Sequence, residues 1–127
     1  MTPEKSLRGC HILVIEDEYL LAEEIQAGLS DLGAEVVGPA SSVAQGAAFI
    51  RNAERIDGAI LDVNLAGEMV YPAADMLMER GIPFIFSTGY DAGIIPAAYS
   101  RIVRCEKPLD VGTLTNALRQ QVHGEKV

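Results

Sequence analysis

The chain has 127 residues, of which 49% are hydrophobic and 22% are charged, and its formal net charge is −8. This length and composition predict a single globular domain rather than a disordered chain. The acidic charge opposes binding to nucleic acid or to an anionic membrane surface, and no apolar run approaches the roughly 20 residues of a membrane span.

Strand-like and helical patterns alternate along the chain. Buried-strand patterns lie at residues 11–15, 34–37, 58–63, 83–86 and 102–105. Between these strands, and again after the fifth, apolar residues recur at helical spacing. Gly33 ends the first helix, and Ser41 or Ser42 can cap the second. Pro72 suits the first turn of the third helix, and Asp110 can cap the last one.

The connection at residues 91–100 differs from the others, because Gly93 and Pro96 both weaken a helix. We therefore expect a short, irregular or mobile fourth helix there. Outside the predicted elements, residues 1–9 and 123–127 are expected to be loose tails around a domain at residues 10–122. Since residues 1–9 lack the apolar core of an export signal, we expect a cytoplasmic protein.

Five strands that alternate with helices predict a doubly wound α/β fold. Its parallel sheet is covered by helices on both faces, and the strand order 2-1-3-4-5 is the common solution for this length. Ligands of such sheets bind outside the carboxyl ends of the strands, at the switch point between strands one and three. Glu16, Asp17 and Asp62 flank that point in the predicted topology.

These three carboxylates suggest a site for a hard divalent cation. Held close together they repel one another, and a cation relieves that repulsion. Mg²⁺ (or Mn²⁺) uses one or two carboxylates together with waters and phosphate oxygens. Asp17 and Asp62 could bind directly and Glu16 through a water, while the backbone carbonyl of Asn64 could complete the protein ligands.

A carboxylate oxygen beside a metal ion is a competent nucleophile toward phosphorus, which makes Asp62 a candidate phosphoryl acceptor. Phosphoryl transfer requires neutralisation of the equatorial oxygens. Lys107 and the hydroxyl of Thr88, which both follow predicted strands, could serve two of them and the metal ion the third. Each residue by itself also has an ordinary structural explanation, such as a helix cap or a surface lysine. Their joint position at the strand ends favours a shared role in phosphoryl transfer.

The residues around these positions resemble the receiver domain of two-component response regulators, over roughly residues 10–122. The matching motifs are ILVI before Glu16–Asp17, AILDVNL around Asp62, FSTGY around Thr88, and Lys107–Pro108. The resemblance implies a flavodoxin-like receiver fold that accepts a phosphoryl group from a sensor histidine kinase, with Mg²⁺ required. It also implies a cis peptide bond before Pro108. PFIFSTGY further resembles the FATGUY subgroup of receivers, whose kinases often belong to the HWE type.

Two departures from the family pattern concern signalling. Receivers usually carry an aromatic switch residue three positions before the lysine, where this chain has Arg104. Tyr90 is therefore a candidate aromatic near the site. Gly89 lies beside the position where receivers usually have a small residue. Together with the irregular segment that follows, it suggests that the signalling face is mobile.

Several functions remain open at this stage. The leading hypothesis is a non-enzymatic regulator with no output domain in this chain, which changes its contacts with a protein target once phosphorylated. A phosphate sink, a relay to a histidine phosphotransfer protein and a phosphate-independent adaptor are alternatives. An Asp-nucleophile phosphatase and a flavin or nucleotide carrier fit the residues less well. A homodimer through the fourth helix, fifth strand and fifth helix is a further possibility by analogy.

Overall fold

Five parallel strands form the central sheet of the computed structural model, which describes residues 7–89 and 95–124. The strands are β1 His11–Ile15, β2 Glu35–Ala40, β3 Gly58–Asp62, β4 Asn64–Leu65, β5 Glu68–Met69, β6 Phe84–Thr88 and β7 Arg104–Glu106. The helices are α1 Tyr19–Asp31, α2 Val43–Asn52, α3 Tyr71–Glu79 and α4 Val111–Val122. The sheet order is β2-β1-β3-β6-β7, which confirms the predicted 2-1-3-4-5 topology of the long strands.

Two apolar clusters cover the two faces of this sheet. Alternate residues of β1 point to opposite faces, so that Leu13 and Ile15 join one cluster while Ile12 and Val14 join the other. The first cluster packs under α2 and α3, and the second under α1 and α4. Because both faces are buried, the strands are apolar runs, which explains why they could be recognised in the sequence.

The predicted ends of the helices are largely confirmed. The side chain of Ser42 accepts a hydrogen bond from the backbone N–H of Gln45 at the start of α2, so Ser42 is the cap. Asp110 caps α4 by accepting from the N–H of Gly112. Gly33 follows α1 with φ of +89°, a left-handed conformation that glycine adopts without steric cost.

The strand boundaries differ from the predicted ones at several places. β2 continues through Gly38–Pro39, a cis peptide bond, to Ala40, where the predicted strand stopped before the glycine. A register shift between Leu13 and Ile15 of β1 accommodates this longer strand. β6 and β7 both run later in the sequence than expected, because their pairing extends to Thr88 opposite Glu106.

Two further features were not predicted or were wrongly predicted. A small antiparallel hairpin of β4 and β5 follows Asp62 directly. Leu7 is fully buried, and its N–H donates to the carbonyl of Leu32, so the expected tail at residues 1–9 is wrong for its last part.

Residues 97–99 form a single 3₁₀ turn, which agrees with a short, irregular element. The first part of the segment predicted at residues 91–100 lies outside the described residues, and its mobility stays a prediction. Within the described part, no helix has the length and apolarity that crossing a membrane requires.

Close packing of α2 against β1 gives a stability prediction at Gly46. A Cβ atom at this position would lie 2.5 Å from Cδ1 and 3.2 Å from Cγ1 of Ile15, which is fully buried. We expect Gly46→Ala to lower the free energy of unfolding by about 1–2 kcal/mol, because overpacking outweighs the roughly 1 kcal/mol gain in helix propensity.

The control for this change is Gly112→Ala in the first turn of α4. A Cβ atom there would meet only Asp110 Oδ1, at the ordinary distance of 3.6 Å. Urea unfolding of both variants measures the difference, and equal stabilities of the two variants would contradict the packing described for Gly46.

Candidate functional site

Three carboxylates meet at the carboxyl edge of the sheet, as the sequence predicted. Glu16 and Asp17 follow β1, Asp62 ends β3, and these strands are neighbours with Ile15 opposite Leu61. One oxygen from each carboxylate lies within 4.8 Å of the other two. Glu16 and Asp62 are each only 3% exposed, whereas Asp17 is half-buried. The site is therefore an anionic cluster whose charge is largely removed from water.

Lys107 reaches this cluster from the loop after β7. Its Nζ lies 3.2 Å from Asp62 Oδ2, 3.5 Å from Glu16 Oε2 and 3.1 Å from Glu18 Oε1. The backbone N–H of Lys107 donates to the carbonyl of Thr88 at 2.7 Å, which ties the loop to the end of β6. The predicted cis peptide bond between Lys107 and Pro108 is present. One ammonium group is thus shared by three carboxylates.

Burial and mutual repulsion perturb the acids of the cluster. Burial, reinforced by the charge of Asp62, raises the pKa of Glu16 to about 8. Burial also raises the pKa of Asp62, although hydrogen bonds with Glu16 and Lys107 partly oppose this. For Lys107, burial by itself would lower the pKa, but the carboxylates of Asp62 and Glu16 outweigh it and the pKa is raised. Lys107 therefore stays charged, and one cation does not balance the acids around it.

The residues present fit a hard divalent cation. Oε1 of Glu16 is buried and has no hydrogen-bond partner among the described residues, so one carboxylate oxygen of the cluster is unused. Such an oxygen, close to two further carboxylates, is the donor type that Mg²⁺ prefers. The N–H of Asn64 donates to Asp62 Oδ1 at 3.3 Å, which places Asn64 beside the cluster. The use of its carbonyl as a ligand stays a prediction.

The end of β6 contributes two hydroxyl groups with different surroundings. Thr88 is buried at the strand end, where its backbone carbonyl accepts a hydrogen bond from the N–H of Lys107. The expected contact of its hydroxyl with phosphate stays a prediction. Ser87 pairs in register with Asp62, and its buried Oγ lacks a hydrogen-bond partner in the part of the chain described. Sequence reasoning passed over Ser87 because a serine inside a strand carries no signal of its own.

An open groove of about 610 Å³ lies beside the cluster. Its lining residues are Glu18, Leu20, Leu21, Glu24, Gly89, Lys107, Pro108 and Leu109. Gly89 and Pro108, which the sequence suggested as modulating residues, are thus placed at the approach to Lys107. The contact between Glu18 and Lys107 was missed, although Glu18 directly follows the acidic pair in the sequence.

An aromatic cluster occupies the space between β6 and α3. The rings of Tyr71 and Tyr99 stack with centroids 4.7 Å apart, and both meet Phe86 edge to face. The hydroxyl of Tyr99 donates to Asp75 Oδ1 at 2.5 Å. Arg104 is exposed, so this arginine does not fill the interior position of an aromatic switch residue. Tyr90, the aromatic suggested by the sequence, lies outside the described residues.

Comparison with known proteins adds relatives of this fold. The chain is similar to SdrG from Sphingomonas melonis Fr1, with 35% identity and a TM-score of 0.75 over 85% of this chain and 92% of SdrG. It is also similar to the BeF3-activated conformation of SdrG from Pseudomonas melonis Fr1, with 34% identity and a TM-score of 0.68 over 84% of this chain and 91% of that one. A response regulator receiver protein from Sinorhizobium medicae WSM419, at 22% identity, matches with a TM-score of 0.77 over 95% of this chain and 100% of that chain. No protein-family model and no curated protein matches the chain.

Proposed function

The chain belongs to the receiver family of two-component response regulators, and we propose that it accepts a phosphoryl group on Asp62 from a sensor histidine kinase. One observation carries this proposal: the buried carboxylate of Asp62 contacts Lys107 and has oxygens of Glu16 and Asp17 within 4.8 Å, beside an open groove. A buried carboxylate nucleophile next to both an ammonium group and carboxylates that can hold a metal ion is the arrangement that phosphoryl transfer requires.

In the transfer step, a carboxylate oxygen of Asp62 forms a bond to phosphorus. The bond between phosphorus and the donor imidazole breaks, and its electron pair stays on the imidazole nitrogen. Lys107, already 3.2 Å from Asp62, is placed to pair with a phosphoryl oxygen, and we assign a second oxygen to the hydroxyl of Thr88. Asp17, Asp62, the carbonyl of Asn64 and, through water, Glu16 would hold Mg²⁺, which supplies positive charge for the remaining oxygen.

We further propose that the phosphorylated protein acts in the cytoplasm by changing its contacts with other proteins. The phosphoryl group adds close to two negative charges to a site that is already acidic, which perturbs the residues around Lys107 strongly.

Membership of the FATGUY subgroup and a kinase of the HWE type stay predictions. A phosphate sink or a relay is the second candidate, because exposed Arg104 does not provide the usual aromatic switch.

The side chain of Asn64 argues against an Asp-nucleophile phosphatase. Such enzymes use a general acid close to the nucleophile. Residue 64 carries an amide, and its Oδ1 accepts a hydrogen bond of 2.6 Å from the N–H of Gly67 within the β4–β5 hairpin. This side chain therefore serves the turn, and we expect the phosphoryl group to leave Asp62 only by slow hydrolysis or by transfer to another protein.

The experiment that tests the proposed function uses the full chain, Mg²⁺ and phosphoramidate, a small donor that needs no kinase. Intact mass spectrometry should show the addition of one phosphoryl group, and a chelator should prevent it. A chain whose mass stays unchanged at saturating Mg²⁺ and donor would contradict the proposal and favour a phosphate-independent adaptor.

A further inference from the structure

The contact between Glu18 and Lys107 joins residues 89 positions apart in the sequence. Glu18 stands at the N-cap position of α1, where a side chain usually accepts a hydrogen bond from the first turn. Its carboxylate makes no such bond. It instead accepts a hydrogen bond from Lys107 Nζ at 3.1 Å, the shortest of the three carboxylate contacts of that lysine. The side chain of Glu18 is therefore used at the site rather than in the helix.

The three carboxylates around Lys107 differ in their access to water. The side chains of Glu16 and Asp62 are 1% and 4% exposed, whereas that of Glu18 is 62% exposed. A buried carboxylate that lost its cation would be left without compensation in a poorly solvated place. Glu18 can instead turn into water at little cost. Of the three, Glu18 is thus the partner that can leave Lys107.

An incoming phosphoryl group needs the same ammonium. Glu18 and Lys107 line the same groove, so a donor that reaches Asp62 along this side meets the carboxylate of Glu18 next to the cation. Because like charges repel and Lys107 has only three N–H donors, Glu18 competes with the phosphoryl oxygens.

We infer that Glu18 is a positioning residue that restrains Lys107 in the unphosphorylated protein and slows phosphorylation of Asp62. The inference rests on the proposed function and adds to it a residue that lowers the rate of phosphorylation. With phosphoramidate as donor, an oxygen of Asp62 bonds to phosphorus while the phosphorus–nitrogen bond breaks. Its electron pair stays on the nitrogen, which is protonated as NH3⁺ in the phosphoramidate zwitterion and leaves as ammonia. Glu18 takes no part in these bond changes and acts through Lys107.

The test compares Glu18→Gln with Glu24→Gln in the full chain. Both substitutions remove one negative charge from the same groove, but within the described residues Glu24 makes no ion pair with Lys107. The backbone N–H of Glu18, which donates to Glu16 Oε2, is unchanged by the substitution. Rates of phosphorylation by phosphoramidate are measured at saturating Mg²⁺ and at low and high ionic strength.

We expect Glu18→Gln to accelerate phosphorylation about three- to ten-fold at low ionic strength, with a smaller effect in high salt, because the lost contact is partly exposed. Glu24→Gln should change the rate less than about two-fold. Equal acceleration by both variants would overturn the inference, since general repulsion of the donor would then explain it. An unchanged or slower rate in Glu18→Gln would overturn it as well. A wild-type chain that takes no phosphoryl group would instead refute the proposed function itself.

Discussion

Replacing Asp62 with alanine should abolish phosphorylation of the chain by phosphoramidate and Mg²⁺. Asp62 is the carboxylate that combines burial, a contact with Lys107 at 3.2 Å and proximity to both Glu16 and Asp17. Alanine removes the attacking oxygen altogether, so the expected loss is complete rather than partial. Intact mass spectrometry measures it, with the wild-type chain in parallel.

The control for this substitution is Asp31→Ala, which removes an exposed carboxylate from the last turn of α1. This variant should be phosphorylated at the wild-type rate, because Asp31 lies at the opposite end of α1 from Glu18 and Lys107. If Asp62→Ala gained one phosphoryl group as fast as the wild type, another residue would be the acceptor and the assignment of Asp62 would be wrong.

Replacing Glu16 with glutamine should stabilise the protein without Mg²⁺ and weaken its binding of Mg²⁺. Burial and the charge of Asp62 raise the pKa of Glu16 from 4.5 to about 8. The folded protein therefore binds a proton that the unfolded chain releases above pH 4.5. The stability that this bound proton contributes is fully present below pH 4.5, the pKa in the unfolded chain. It is lost as the pH rises toward 8, the pKa in the folded protein. Glutamine does not titrate, so the variant avoids that loss.

Urea unfolding at pH 5 and pH 8 without Mg²⁺ measures the effect. The free energy of unfolding of Glu16→Gln should exceed that of the wild type by about 2 kcal/mol more at pH 8 than at pH 5. This increase is smaller than the full pKa shift of Glu16 would give, because buried groups relax. Glu24→Gln, at an exposed position, should show no such change. Added Mg²⁺ should stabilise the wild type more than Glu16→Gln, because the amide of glutamine carries no negative charge to attract the cation. A difference that does not vary with pH would contradict the electrostatics described for the cluster.

The sheet and most of the site could be predicted because local patterns determine them. Buried parallel strands are apolar runs, and their carboxyl ends share one edge, so polar residues after the runs converge there. Glu16, Asp17, Asp62 and Lys107 were found in this way, and the structure brings them together. The caps Ser42 and Asp110 could be predicted for a similar reason, because a capping side chain accepts a hydrogen bond from a backbone N–H no more than three residues away.

Features that depend on distant contacts could not be predicted. Glu18 reaches Lys107 across 89 positions, and an acidic residue at a helix start is equally expected from the helix dipole. The stack of Tyr71 on Tyr99 joins α3 to a 3₁₀ turn that has no periodic signal. β2 passes through Gly38–Pro39 because pairing with β1 continues to Ala40, although both residue types normally end a strand.

The most direct measurement of the central claim identifies the side chain that carries the phosphoryl group. The chain is phosphorylated with phosphoramidate and Mg²⁺ and then reduced with borohydride, which converts an aspartyl phosphate into homoserine. Peptide sequencing by mass spectrometry should find homoserine at position 62, and it should be absent when Mg²⁺ is chelated. Homoserine at position 17, or a phosphoryl group that borohydride does not remove, would contradict the assignment of Asp62 as the acceptor.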